Sequence, residues 1–175
     1  SGLTGLLNLN TALLFESTDS KHSSGYLLYS RSTGLKPLIV ENKYYSDIRR
    51  SNNGDFVYSS QTFCQSPQVT FLKRGKRPIT LFKSNKQQVN YHYGHSELIQ
   101  YSNSRGENLN GVLFYPAEYN EGKQYPMIVH VYEEQSKIWN RYAKPSLYNY
   151  EGFNISHFTL NGYFVLLPDI DYTLG

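Results

Sequence analysis

The chain has 175 residues, a formal charge of +3 and an apolar share of 39%. That length admits one large domain or two small ones. The small charge, with Lys and Arg scattered rather than drawn into a stripe, argues against nucleic acid as a partner, and a single cysteine, Cys64, excludes an internal disulfide framework and a multi-cysteine zinc site. Aromatic residues make up much of the apolar shortfall, with 17 Tyr and 9 Phe. They bury large rings while tyrosine keeps its hydroxyl hydrogen-bonded, and they favour sheet. No apolar run is long enough to span a bilayer. The opening SGLTGLLNLN lacks the basic n-region of a signal peptide. In a piece of a longer chain that says nothing about export, so localisation stays open.

Residues 9–94 read as short strands separated by polar turns, with no helical periodicity. The first is Ala12 to Glu16. After the loop STDSKHSSG comes Gly25 to Arg31, then a Ser-Thr-Gly turn and Pro37 to Glu41. A tyrosine-rich link leads to Ser51-Asn52-Asn53-Gly54, a hairpin signal because Asn and Gly tolerate positive φ. Phe56 to Ser60, Gln68 to Lys73 and Pro78 to Phe82 follow, the last two joined at Arg74-Gly75-Lys76. Regular short strands with polar turns predict a sandwich, barrel or propeller. The spacing favours a propeller, because a four-stranded blade takes about 40–45 residues and this stretch supplies roughly two. The ring would be incomplete.

From residue 95 the pattern changes, and the domain boundary is expected near Tyr93-Gly94. Glu97 to Ser102 and Leu109 to Tyr115 form a hairpin around the turn Ser104 to Glu107. Tyr125 to Glu134, YPMIVHVYEE, is a nearly continuous apolar run that breaks into two carboxylates. It predicts a strand buried on both faces. Phe153 to Leu160 carries apolar residues at 153, 155, 158 and 160, compatible with about two helical turns ended by Asn161-Gly162. Tyr163 to Leu167 is a second buried strand, stopped by Pro168-Asp169. Two such strands with a partly helical crossover begin an α/β sheet. The uncovered edge of that sheet predicts self-association.

The segments LIQYSNSRGENLNGVLFYP, KQYPMIVHVY and LNGYFVLLPD, in that order and spacing, resemble the propeller-to-hydrolase junction of the prolyl oligopeptidase family of serine peptidases, which includes dipeptidyl and acylaminoacyl peptidases. The resemblance implies a mainly β chain with some α/β structure. Residues 1–94 would be the last blades of a β-propeller, and residues 95–175 the first strands of an α/β-hydrolase domain. It also implies that Tyr132, at the end of its strand, donates its hydroxyl to an oxyanion hole. A phenol O–H aimed at charge that grows in the transition state stabilises it. The alternative for Tyr132 is a strand-end tyrosine that packs its ring.

The chain departs from the family where relatives place small residues after this tyrosine. Glu133 and Glu134 stand there, and two carboxylates beside an oxyanion would disfavour its charge unless they point away or are paired. The expectation is that one of them meets a substrate's ammonium group or a basic side chain. The alternative is a solvated or salt-bridged loop. Asp169 reads as a structural carboxylate at a strand end.

No G-x-S-x-G elbow, with Asp and then His after it, occurs in the chain. Gly94-His95-Ser96-Glu97-Leu98 is the nearest match; its fifth residue is Leu and it precedes a strand. His92 and His95 near Glu97 lack a third ligand, and no Gly-rich phosphate loop is present, so no metal or cofactor is expected. The expectation is thus a fragment of a serine peptidase acting on peptides, inactive by itself because its triad is absent. A non-catalytic β-rich interaction or structural module, or an inactive relative, remain the alternatives.

Overall fold

A computed structural model describes residues 11–18, 24–146 and 153–171. The opening residues SGLTGLLNLN and most of the predicted loop after the first strand lie outside the described residues. Eleven strands form three sheets among the described residues. The chain divides into two compact units, Ser1–Lys43 and Tyr44–Gly175.

The first unit holds β1 (Leu13–Thr18), β2 (Ser24–Ser30) and β3 (Gly34–Glu41), an antiparallel meander in that order. The register runs from Leu13 opposite Tyr29 to Thr18 opposite Ser24, and from Ser24 opposite Glu41 to Ser30 opposite Gly34. Tyr26 and Ile39, which face each other across β2 and β3, are its buried side chains among the described residues. All three strands coincide with the short runs expected between polar turns, to within a few residues at either end.

The second unit begins with β4 (Tyr44–Arg50), β5 (Phe56–Thr62), β6 (Gln65–Leu72) and β7 (Ile79–Lys83), an antiparallel sheet in chain order. β4 occupies what the sequence suggested was a tyrosine-rich link. Its alternation is hidden by a bulge: Asp47 adopts a φ of 56° and the register shifts between Ser46 and Arg49. One extra residue in a strand breaks the period-2 pattern. Tyr45 is nonetheless buried and meets the Tyr58 ring edge-on at 5.7 Å. The Ser51–Gly54 turn is as expected, with Gly54 at a φ of 84° and its N–H donating to Ser51 O at 3.0 Å.

The third sheet is mixed. β8 (Ser96–Ser102) and β9 (Asn108–Phe114) form the predicted hairpin, with Ser102 opposite Asn108. β10 (Met127–Val129) is followed by the helix α1 (Ile155–Leu160) and β11 (Phe164–Pro168). The spatial order is β10-β11-β9-β8, with β10 and β11 parallel and β11 and β9 antiparallel. Parallel neighbours need a crossover, and α1 supplies part of it, packing on β11. Asn154 caps α1 with its side-chain oxygen on His157 N at 3.3 Å, and Gly162 follows it at a φ of 85°.

One expectation is corrected here. The apolar run beginning at Tyr125 is not a strand buried on both faces. It pairs only with β11, so it is a sheet edge, and Met127, Val129 and Val131 are 49%, 52% and 58% exposed. Its ladder is also shorter than the apolar run. An apolar run reports β-propensity, not the number of neighbours a strand acquires. β11 meets the expectation on one face, where Val165 and Leu167 are fully buried, while Phe164, Leu166 and Pro168 on the other are only half-buried.

The core of this unit gathers Phe63, Val112, Phe114, Val165 and Leu167, flanked by Trp139, Phe153, Ile155 and Phe158. Burial of each such side chain contributes about 1.5–3 kcal/mol. Phe63 lies on the tight turn between β5 and β6, yet its ring meets Phe114 of β9 at 4.7 Å. A side chain of the antiparallel sheet thus completes the core of the mixed sheet. Between the two sheets, Gly94 adopts a φ of 70°, and a Cβ there would lie 2.4 Å from Tyr115 O. Only glycine permits both that dihedral and that approach.

Candidate functional site

Beyond Val129 the β10 ladder contributes one more bond, from His130 N to Leu166 O at 3.0 Å. The chain then leaves the sheet, and Tyr132, Glu133 and Glu134 lie on the loop that follows. Gln135 closes this loop on itself. Its Nε2 donates to His130 O at 2.8 Å, and its Oε1 lies 3.2 Å from His130 Nδ1. The His130 ring in turn stacks on Phe153 at 4.4 Å with an interplanar angle of 13°.

Asp169 anchors the far end of the loop. It is buried, and its Oδ1 accepts from Gln135 N at 2.6 Å and from Ser136 N at 2.7 Å. These are the first N–H groups of the 3₁₀ turn over Ser136–Ile138, which have no partner within the turn itself. Asp169 is held in turn by the sheet: its N–H donates to Asn110 O at 2.9 Å, and its carbonyl accepts from the Tyr101 hydroxyl. The residue after β11 therefore fixes the residues after β10. Asp169 takes the structural role expected of it.

Within that frame Tyr132 is 63% exposed, and its hydroxyl has no hydrogen-bond partner among the described residues. A phenol left without a partner on a braced loop is available to donate to an oxygen brought to it. The two carboxylates differ. Glu134 pairs with Lys137 one turn on, both side chains being solvent-exposed, and it holds the Lys137 ammonium above its usual range. Glu133 is exposed and has no ion-pair partner among the described residues. The loop thus presents one neutralised carboxylate and one free one.

His92, His95 and Glu97 fall on the segment entering β8 and on β8 itself. The His95 ring stacks on Tyr115 at 3.9 Å, and Glu97 Oε2 accepts from the Tyr115 hydroxyl at 2.7 Å. Among the described residues no group of three His, Cys, Asp or Glu side chains is placed to hold a metal ion. Ser96, the middle of the nearest elbow-like match, begins β8 and donates to Trp139 O at 3.0 Å. Its hydroxyl proton is engaged in joining the sheet to the loop.

The bond to Glu97, followed by burial, pushes the Tyr115 hydroxyl up to about 12. The raised value belongs to the folded chain, so the stabilisation is complete below the ordinary tyrosine value of about 10 and is lost as pH rises through about 12. Urea titrations across this alkaline window should show the native chain losing more stability than Tyr115→Phe. Parallel losses in the two proteins would count against the bond. Tyr93 is also pushed up, first by burial and then by its bond to the Tyr142 hydroxyl at 3.0 Å.

Gln135 and Ser136 are parts of the site that the sequence did not single out. A pair of N–H groups carries no side-chain signature. The only available signal was an Asp at the end of an apolar run, which is common to many strands.

No protein-family model matches the chain, and no curated protein matches it. Solved structures do. The isopeptidase AtxE2 with Astexin3-dC4 bound is similar over 94% of this chain and 24% of its own, with a TM-score of 0.70 and 13% identity. Dipeptidyl peptidase 4 of Porphyromonas gingivalis is similar over 93% of this chain and 23% of its own, with a TM-score of 0.67 and 16% identity. The acylaminoacyl peptidase of Pyrococcus horikoshii matches over 90% and 23%, with a TM-score of 0.64 and 15% identity. What is shared is the fold. The chain spans about a quarter of the length of the structures it matches.

Proposed function

We propose that the chain is part of a serine peptidase of the prolyl oligopeptidase family. In this reading residues 1–94 are the end of a β-propeller and residues 95–175 the first strands of an α/β-hydrolase domain. Tyr132 is the oxyanion donor, and the nucleophile and its partners come from residues outside this sequence. The observation that carries the reading is the Tyr132 hydroxyl, exposed and without a partner among the described residues, on a braced loop after a parallel strand. Its support is that the fold is similar to solved peptidase structures over more than nine-tenths of the chain.

The reaction would be acyl transfer from a peptide, with the carbonyl oxygen gaining charge as the tetrahedral intermediate forms. Glu133 is the better candidate for the substrate's ammonium group, because Glu134 is already neutralised by Lys137. A free carboxylate near a cationic N-terminus selects unblocked peptides, since the pair forms only when the amine is charged.

The test uses the protein encoded by the whole source gene. It should be labelled covalently by a serine-directed fluorophosphonate and should cleave short peptides. Glu133→Gln should raise KM about tenfold for a free-amine peptide, the loss of one charge-assisted hydrogen bond, and leave the N-blocked peptide unaffected. Glu134→Gln should do less. Absence of labelling and cleavage would sink the peptidase reading, whereas equal effects on both peptides would sink only the role of Glu133.

A further inference from the structure

Tyr132 stands on a stretch, residues 131–134, that is exposed throughout. A donor that acts on a transition-state oxygen has to stay in place, because a misplacement of about 1 Å costs up to about 10²-fold in rate. With its own hydroxyl unheld among the described residues, Tyr132 takes its position from the two ends of the stretch, His130 and Gln135.

Each end is tied separately to the same strand. His130 N donates to Leu166 O at 3.0 Å, within β11, and Gln135 N donates to Asp169 Oδ1 at 2.6 Å, just beyond it. These bonds fix two points of the backbone and leave the path between them free.

The Gln135 side chain joins one end to the other. Its Nε2 donates to His130 O at 2.8 Å, and its Oε1 lies 3.2 Å from His130 Nδ1. A carbonyl oxygen only accepts, so the amide nitrogen faces it. The amide oxygen then faces Nδ1, which donates. Two bonds made to one residue fix the orientation of that residue as well as its distance.

The clasp is itself held from both sides. Gln135 is buried, and opening it would leave buried polar groups without partners. The His130 ring stacks on Phe153 at 4.4 Å, and Phe153 stacks on Phe158 of α1 at 5.1 Å. The ring leaves that stack if it turns, so Nδ1 stays aimed at Gln135. Asp169 takes no part in this second restraint: its carboxylate holds the backbone N–H groups of Gln135 and Ser136.

From this arrangement we infer that the Gln135 side chain is a positioning residue for the Tyr132 hydroxyl. It closes residues 131–134 into a loop of one shape, with Phe153 as the backing of the His130 ring, so the donor is in place before the oxyanion forms. The inference rests on the reading of Tyr132 as the oxyanion donor.

The test is a double-mutant cycle in the protein encoded by the whole source gene. Gln135→Met keeps the length of the side chain and removes both bonds to His130. It should lower kcat for a short peptide about tenfold, a part of what the hydroxyl itself contributes, with KM changed little. In the Tyr132→Phe background the same substitution should cost nothing more, because there is no hydroxyl left to position. A merely structural role would cost the same in both backgrounds. His130→Phe keeps a ring against Phe153 and the backbone carbonyl, and loses only the Nδ1 bond. It should therefore lose less than Gln135→Met, again only when Tyr132 is present, and it carries the test if Gln135→Met does not fold. A tetrahedral, oxyanion-bearing inhibitor should bind Gln135→Met about tenfold more weakly, and a ground-state peptide analogue as before. The inference is overturned if the losses add in the double mutants, if KM carries them, or if Gln135→Met and His130→Phe keep native kcat while Tyr132→Phe does not. If Tyr132→Phe itself keeps native kcat, the reading of Tyr132 falls and this inference with it.

Discussion

Tyr132→Phe, made in the whole protein that carries this chain, should lower kcat for peptide hydrolysis about 10²–10³-fold, with KM changed little. The substitution removes one hydroxyl and keeps the ring. The side chain is 63% exposed and its hydroxyl has no partner within the described chain, so folding does not depend on it. The loss therefore falls on the step in which an oxyanion forms. The donor acts on charge present only in the transition state, which is why kcat rather than KM carries the effect. Binding of a tetrahedral, oxyanion-bearing inhibitor should weaken in parallel, while a ground-state peptide analogue should bind as before. A variant with unchanged kcat would remove Tyr132 from the chemistry and leave it a loop residue that packs its ring.

Asp169→Ala should reduce the stability of the chain by about 3–5 kcal/mol. One carboxylate oxygen holds two backbone N–H groups, of Gln135 and Ser136, at 2.6 and 2.7 Å in a buried setting. Each bond to a charged acceptor contributes about 1.5–3 kcal/mol, and truncation leaves both donors buried without partners. Asp169→Asn keeps an oxygen in place but not its charge, and should lose about half as much. Urea unfolding of the two variants and the native chain tests this ordering. Equal losses for Ala and Asn would mean that the charge contributes nothing, and a loss below about 1 kcal/mol for Ala would mean that the loop does not need its anchor. The same substitution should free the Tyr132 loop. Amide exchange at residues 130–136 should then quicken more than in β9 or β11, because local opening no longer breaks two short bonds.

These two residues illustrate how differently the parts of the site were legible. Tyr132 was found through resemblance, by its position after an apolar strand and before a break. Asp169 was recognised as structural, but what it holds was invisible, because its partners are backbone amides of another segment. The pairing of Glu134 with Lys137 was open to a reading of sequence spacing, three residues apart. It leaves Glu133 as the loop carboxylate with no ion-pair partner among the described residues.

The strands show the same division. Where a short aromatic or β-branched run is bounded by polar turn residues, as in β2, β5 and β9, the sequence places the strand to within a few residues. β4 escaped because the bulge at Asp47 breaks the alternation, and its Asp and Arg residues resemble those of a linker. The helix was legible from four apolar positions and an Asn-Gly stop.

By itself, the sequence determined the β-rich character of the chain, most of its strands, the short helix and the position of Tyr132 after a strand. These follow from local periodicity and turn chemistry, which each residue carries with it. Only the tertiary structure decided that β10 is an exposed edge, that Phe63 crosses from one sheet to complete the core of the other, and that Asp169 anchors the Tyr132 loop. Each of these depends on which segments meet across long stretches of chain, and an apolar run or a lone carboxylate is compatible with many such meetings until packing selects one.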